Sequence, residues 1–599
     1  MNIIGISEQH EAHACLIRDG KLVYAIAEER LSRIKTDSGF PVKSLKKLLQ
    51  DTGINSHEID LVAFSSSSKF IWHNVLKKHA KFAVDDWIQE CDEYWKPILI
   101  EENSSISRFD FMNAYIDKNH INLEEDPYGV LYRRVQNCAE EKWEDLGWSA
   151  RTATVKSVLG LDESKCVRFR HEDCHKSYGY FSSPAYSANK KALIFTLEGG
   201  GDDSSATCSI VHPSGKIDEI WSSNDVMVGR LYAYITLLLG MKPGQHEYKV
   251  MGLAPYGSAK HAADALSVFR KVNHVIGTKI QNSDTYPDLY FSMQTALRGS
   301  RFDNIAFALQ KYLEETVVEW VTNSCIQHNI YDVVISGGVG QNIKLAKVLA
   351  EQKCIRSIWH PPIAGDGSLG IGAAWLGALE NNNQPKSLDN IYLGSEYTKH
   401  EIDVALRSID NNHLDIVKNY SLDDAATWLA EGKICARFSG RMEFGQRALG
   451  NRSIIADPRD LQNVSKINDK IKFRDFWMPF TPTVLDEDAD KFLTLNGYNY
   501  SPFMTLAYDS NDETRQKIPA VLHPADHTAR PQILTREMNV TYFDLLQSFK
   551  EITGIGVLLN TSFNLHGEAI VESPSDAIDT FLKSGLDILL FDHVALVRA

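Results

Sequence analysis

The first 27 residues alternate short apolar runs with polar breaks. Residues 3–6 and 15–17 are apolar around the polar stretch 7–13, and Arg18-Asp19-Gly20-Lys21 then leads into apolar 22–26. Asp-Gly between apolar runs predicts a hairpin, so the segment reads as strand, polar loop, strand, turn, strand. The pattern recurs downstream. Apolar 193–197 is followed by the polar loop EGGGDDSS, apolar 206–211, the turn Pro213-Ser214-Gly215-Lys216 and Ile217. Two copies of one grammar predict a duplicated α/β core.

Between the copies, about 66–165, lies an aromatic and acidic insertion that reads mostly as amphipathic helix, its tryptophans packing helices. After the second copy a buried strand at 333–335 enters SGGVGQN. The small-residue helix SLGIGAAWLGALE then closes a domain over 1–380. The turn-rich stretch 380–390 reads as a linker. A second domain, 391–599, mixes helical stretches with short strands at 433–438, 453–456, 555–559 and 588–591.

Composition narrows the class. The 599 residues are 43% hydrophobic and 24% charged, which argues against disorder. A net charge of -15 argues against nucleic acid as partner. Nine dispersed cysteines without a CxxC pair suggest reduced thiols and a cytoplasmic location. No apolar run reaches about 18 residues, so no membrane span is expected.

Three groups of residues suggest chemistry. His171 and His175, four apart, share one face of a helix and can share a metal. Asp366, alone on a glycine-rich loop, is the expected third ligand, and Fe, Zn and Mn all suit imidazole plus carboxylate. Ser336-Gly337-Gly338-Val339-Gly340-Gln341-Asn342 links a strand to a helix and can present backbone N–H groups to a nucleotide. Residues 437–459 hold Arg437, Arg441, Arg447, Arg452 and Arg459 but no lysine, with glycines at 440, 445 and 450. Guanidinium forks without lysine predict oriented oxyanion recognition rather than a solvated helix face.

These motifs, taken with EERLSRIK, LEGGGDD, EYKVMGLAPYG, GRMEFGQRALGNRSIIADPR, INDKIKFRDFWMPFTP and NTSFNLHGEAIV, resemble the O-carbamoyltransferases of the NodU/CmcH family over nearly the whole chain. The resemblance implies a duplicated actin-like (ASKHA) domain followed by a YrdC-like α/β domain. It implies that the second domain makes carbamoyl-adenylate from carbamoyl phosphate and Mg-ATP. The carbamoyl group then passes to a hydroxyl of a small natural product or sugar at an iron(II) site, or one for another divalent transition metal, in the first domain. By motif, Gly337, Gly338 and Asn342 match the nucleotide loop, and His10 matches the family's loop histidine and is the candidate base. Lys472, Arg474, Arg530 and Ser562 match residues that hold carbamoyl phosphate, and Arg441 and Arg447 match residues that hold the triphosphate. A homodimer is compatible with the resemblance.

The chain departs from the family where His-Asp becomes His10-Glu11, with His13 in place of serine as a further candidate base. It departs again where Asp-Gly becomes Glu198-Gly199 and where GPRALG becomes GQRALG. An actin-like sugar kinase would leave the HxxxH pair unexplained. A tRNA threonylcarbamoylation enzyme would fit poorly with the acidic charge.

Overall fold

A computed structural model describes all residues except 67–71, 103–106, 124, 125, 127, 408, 410–413, 499 and 599. Parts of the insertion therefore lie outside the described residues. The chain divides into two units. The first comprises Met1–Glu28 and Thr36–Leu388, and the second Glu29–Lys35 and Asp389–Ala599.

The first unit holds two five-stranded sheets of one topology. β1 (Asn2–Ser7), β2 (His13–Arg18), β3 (Lys21–Ala27), β4 (Leu61–Phe64) and β5 (Cys166–Arg168) form a sheet ordered β3-β2-β1-β4-β5. β6 (Ala192–Leu197), β7 (Ala206–Val211) and β8 (Ile217–Ser223) follow, then a separate hairpin of β9 (Asn273–Ile276) and β10 (Lys279–Asn282). β11 (Asp332–Ser336) and β12 (Ser357–Trp359) complete a sheet ordered β12-β11-β6-β7-β8. In each sheet the first three strands pair antiparallel and the last two add in parallel. Even the irregularity repeats: the register shifts once between β2 and β3, at Leu16/Ile17, and once between β7 and β8, at Cys208/Ser209. The duplication read from the sequence is therefore present in the topology. The Asp19-Gly20 turn has positive φ at both residues, 49° and 76°, as a tight right-twisted hairpin needs.

Two helices bring the halves of this unit together. His171–Phe181 packs on β6 and β11, Leu369–Glu380 packs on β1, β2 and β4, and the helices pack on each other. Their approach needs glycine, because a Cβ at Gly372 would lie 2.0 Å from the Cys174 carbonyl oxygen. The described part of the insertion is helical, including Val84–Glu90, Arg108–Asn119 and Trp143–Leu159. Its aromatics pack as expected: Trp148 sets its edge on Phe64, and Trp143 on Phe109.

The second unit is built on one eight-stranded sheet. Its strands are β13 (Leu414–Lys418), β14 (Cys435–Phe438), β15 (Arg452–Ala456), β16 (Thr481–Leu485), β17 (Gln532–Leu534), β18 (Val557–Ser562), β19 (Ile588–Phe591) and β20 (Val594–Arg598). Their order is β13-β20-β19-β14-β15-β18-β16-β17. The helices Leu422–Ala430 and Val540–Thr553 close a core with Leu485, Leu534, Leu545, Phe549, Leu558 and Leu590. Glu29–Lys35 joins this unit through arginine donors. Arg30 donates to the Gly445 carbonyl at 2.6 Å, and Arg33 to those of Ile570 and Ala569 at 2.6 and 2.7 Å. Among the described residues no helix is long and apolar enough to cross a membrane.

Candidate functional site

The first site begins at a helix end. The helix opens at His171, whose N–H donates to Asp202 Oδ2 at 3.0 Å, and Glu172 and Asp173 suit the positive end of the helix dipole. One turn on, His175 lies on the same face, with ring centroids 4.9 Å apart. Asp366 enters from the turn leading into Leu369–Glu380, and Glu198 from the loop after β6. His171 Nε2 stands 2.7 Å from Glu198 Oε2 and 3.8 Å from Asp366 Oδ1. His175 Nε2 stands 3.5 and 3.6 Å from the same two oxygens, which is beyond good hydrogen-bond length. One ligand atom from each residue lies within 4.8 Å of the other three.

The donors suit a divalent cation. Both His175 nitrogens and Glu198 Oε1 are buried without a hydrogen-bond partner, a cost that a bound cation relieves. With neutral imidazoles, two carboxylates supply the charge that balances such an ion. Burial opposes charge on His171, but Glu198 overrides it and lifts the pKa to about 10. Burial likewise opposes charge on Glu198, and the two imidazoles override it, holding the carboxyl below its usual range. Replacing Glu198 with Gln removes half of the balancing charge while keeping the shape. Metal affinity is expected to fall by about tenfold to a hundredfold or more, as measured by equilibrium dialysis.

The second site gathers at one end of the eight-stranded sheet. In register, Ser562 closes β18 opposite Ser453, and Thr481 opens β16 opposite Asn560. β17 runs parallel to β16, so Arg530 precedes it at that same end. The loop after β14 carries Arg441 and Arg447 there as well. Lys472, almost fully buried, donates from Nζ to the Ser562 carbonyl at 2.6 Å and to Asn564 Oδ1 at 2.7 Å. Burial pushes its pKa well below the usual lysine value, with Arg474 and Lys35 adding to the effect. Arg474 donates to the Thr561 hydroxyl at 2.8 Å and lies 4.9 Å from the Phe480 ring centroid.

Residues 2–375 match the family model of the carbamoyltransferase N-terminus, and 426–598 that of the carbamoyltransferase C-terminus. The chain belongs to the carbamoyltransferase family. It is 30% identical to nodulation protein NolNO of Sinorhizobium fredii, over 97% of this chain and 78% of that one. It is 32% identical to nodulation protein NolO of Bradyrhizobium diazoefficiens, over 69% and 77%. It is 30% identical to protein MJ1058 of Methanocaldococcus jannaschii, over 96% of each chain.

Within this carbamoyltransferase the expected residues fare differently. His171, His175 and Asp366 come together as expected, and Glu198 joins them, 27 residues from His171 in sequence. A carboxylate directly after β6 gave no local sign of belonging with the histidines. Asn342 is taken up structurally. Its Oδ1 accepts the N–H groups of Lys344 and Leu345, capping helix Ile343–Ala350, and its Nδ2 donates to Gln310 at 2.8 Å. Asparagine before a helical run is itself a capping signal. Gly337 and Gly338 do sit on the strand-to-helix turn after β11, and at Gly338 a side chain would meet nothing within 4 Å.

His13 is likewise committed to the fold. Buried at the start of β2, it donates from Nδ1 to the Glu11 carbonyl, and its Nε2 accepts the Gly370 N–H at 3.1 Å. Burial depresses its pKa to about 4, and with both ring nitrogens held by backbone groups it has no lone pair open to an acceptor hydroxyl. The His13→Asn variant is expected to cost about 1–3 kcal/mol of stability and leave the pH–rate profile unchanged, checked by thermal melting and kinetics. His10 is exposed, but the protein around it disfavours its charged form, against the pull of Asp366. Glu11, at φ 62°, reaches over Gly367, where a Cβ would lie 2.6 Å from Glu11 Oε2.

The arginine block is corrected in part. It is neither a solvated helix nor a uniform oxyanion site but the end of β14, a loop and β15. Arg437 donates to the Gly450 carbonyl, Asn451, Ser439 and Thr541. Arg452 is fully buried, lies 3.6 Å from the Phe438 ring centroid and donates to the Ser439 carbonyl at 2.8 Å. Arg459 pairs with Asp457. Arg441 donates to the Leu393 carbonyl at 2.6 Å, so four of the five guanidiniums hold the protein's own carbonyls, hydroxyls and carboxylate, which fork geometry suits as well as it suits phosphate. The glycines at 440, 445 and 450 have φ of 48°, 110° and 110° and serve to turn this loop.

Proposed function

We propose that the protein is an ATP-dependent O-carbamoyltransferase that divides its reaction between two sites. The reading rests on their opposite electrostatic character. The His171–His175–Glu198–Asp366 cluster could hold a cation. The end of the eight-stranded sheet collects Lys472, Arg474, Arg530, Arg441 and Arg447, which suit polyanions such as carbamoyl phosphate and Mg-ATP.

At the second site carbamoyl phosphate loses phosphate to water, leaving carbamate. A carbamate oxygen then displaces pyrophosphate from the α-phosphorus of ATP. The balance consumes one water and yields carbamoyl-adenylate, phosphate and pyrophosphate. Lys472 and Arg474 offset charge on the reacting oxygens, and Ser562 offers a hydroxyl beside them. Arg530 assists with carbamoyl phosphate, and Arg441 and Arg447 with the triphosphate. In architectural terms the first unit is read as actin-like and the second as YrdC-like, with Gly337 and Gly338 admitting the nucleotide.

His171, His175, Glu198 and Asp366 would hold a divalent transition metal, iron(II) by family resemblance, which polarises a carbamoyl carbonyl when bound. His10, kept neutral by its surroundings, takes the proton of an acceptor hydroxyl on a sugar or small natural product. Attack of that hydroxyl oxygen on the carbamoyl carbon releases AMP and forms the carbamate; without an acceptor, water cleaves the carbamoyl-adenylate to AMP, carbon dioxide and ammonia, so AMP then reports turnover at the second site. Incubation with carbamoyl-labelled carbamoyl phosphate, ATP and a panel of polyhydroxylated acceptors tests this reading. Label is expected in an acid-stable acceptor product only when ATP is present. Label transfer independent of ATP would contradict it.

A further inference from the structure

The insertion reaches into the first site through one arginine. Arg151, from helix Trp143–Leu159, is 5% exposed and sits 5.6 Å from the Phe64 ring centroid at the end of β4. Its Nε–H donates to Glu8 Oε2 at 2.8 Å, and one Nη donates to the Ser66 carbonyl at 3.0 Å. Tyr128, also from the insertion, donates its buried hydroxyl to the other Glu8 oxygen. Glu8 lies two residues before His10 in the loop after β1. From Ser66 the chain of hydrogen bonds continues: its hydroxyl donates to Asp202 Oδ1 at 2.6 Å, and Asp202 Oδ2 accepts the N–H of His171 at 3.0 Å. Every polar side chain in this path is at least nine-tenths buried.

Burying an ion pair is a poor way to gain stability, because desolvation consumes most of the attraction. Such a pair does fix geometry, since each group has few alternative partners. Here the fixed geometry ends at two functional places, the His10 loop and the first metal-ligating residue. We propose that Arg151 is a positioning residue for carbamoyl transfer. Assisted by Tyr128, it locks the His10 loop against the N-terminal end of the His171–His175 helix. This rests on the transfer reading given above, and it gives the insertion a role in the chemistry of the first unit.

The test uses the full-length protein with Arg151→Lys, which keeps the charge but loses the fork, and Tyr128→Phe, which loses only a hydroxyl. Four quantities are followed: AMP formed without acceptor, carbamate formed with acceptor, bound metal per chain, and melting temperature. Transfer kcat should fall by about tenfold to a hundredfold in Arg151→Lys, and by less in Tyr128→Phe. The KM for acceptor, AMP formation and bound metal should stay within about twofold of the wild type. Adding Glu8→Gln to Arg151→Lys should cost little more than Arg151→Lys alone, because both break one link. Unchanged transfer kcat in a folded Tyr128→Phe and a folded Arg151→Lys would overturn the proposal. So would a deficit that excess metal restores, since Arg151 would then serve only to retain the ion. A wild-type protein that forms AMP but never a carbamate would remove the transfer reading itself, and this inference with it.

Discussion

Replacing His175 with alanine is expected to lower carbamoyl transfer by at least about a thousandfold while leaving AMP formation intact. The magnitude follows from what is lost. A metal-polarised carbonyl is worth several kcal/mol, and each 1.36 kcal/mol is about tenfold in rate. His175 is fully buried, its nitrogens make no hydrogen bond, and its Nε2 faces both Glu198 and Asp366. The variant removes one of four side chains that could hold the ion and leaves two carboxylates with less to balance them. Removing an uncompensated imidazole should not unfold the helix, since the N-terminal capping at His171 N–H comes from Asp202. The check is a pair of assays on one preparation: pyrophosphate release driven by carbamoyl phosphate, and acceptor carbamate formed. Equal loss of both would show that one site does both jobs.

The complementary change is Lys472→Met. It is expected to lower carbamoyl phosphate-dependent AMP formation by about a thousandfold or more, because a bound polyanion favours the charged form of Lys472 that burial opposes, and a cation then fixed in a water-poor site is worth several kcal/mol to it. It should also cost about 1–3 kcal/mol of stability, because the Ser562 and Asn564 carbonyls lose a buried donor. The two effects separate by experiment, since a melting curve reads the second and does not depend on nucleotide. Metal binding at the first site should be unaltered. Carbamoyl transfer supplied with preformed carbamoyl-adenylate should also persist, which a general unfolding would not allow.

Much of the first unit was readable before its structure. Both hairpin copies, the strand at 333–335 and the one-face pairing of His171 with His175 follow from local periodicity. They stand in the structure as β1–β3, β6–β8, β11 and helix His171–Phe181. The second unit was half readable. β14, β15, β18 and β19 lie in continuous apolar runs and were seen. β16 reads Thr-Pro-Thr-Val-Leu, and its proline disguises it; β17 is three residues long; β13 and β20 close the far edge with polar residues interleaved. The excursion of Glu29–Lys35 into the second unit has no local sign at all. It is set by carbonyl acceptors more than 400 residues away.

The site residues divide along the same line. A ligand pair on one helix turn is a local pattern, whereas Glu198 reaches that pair only through the order of strands in the second sheet. His13 and Asn342 looked chemical because histidine and asparagine are versatile. Each also holds backbone groups that a sequence does not display. The arginine block carried the same ambiguity, because a guanidinium meets a loop carbonyl and a phosphate with the same fork.

The central claim is a division of labour that begins with adenylate formation. It is tested most directly by incubating the purified protein with ATP, with and without carbamoyl phosphate, and identifying the nucleotide product. The account predicts AMP and pyrophosphate in equal amounts, formed only when carbamoyl phosphate is present. ADP as the product, or ATP left intact beside carbamoyl phosphate, would contradict it.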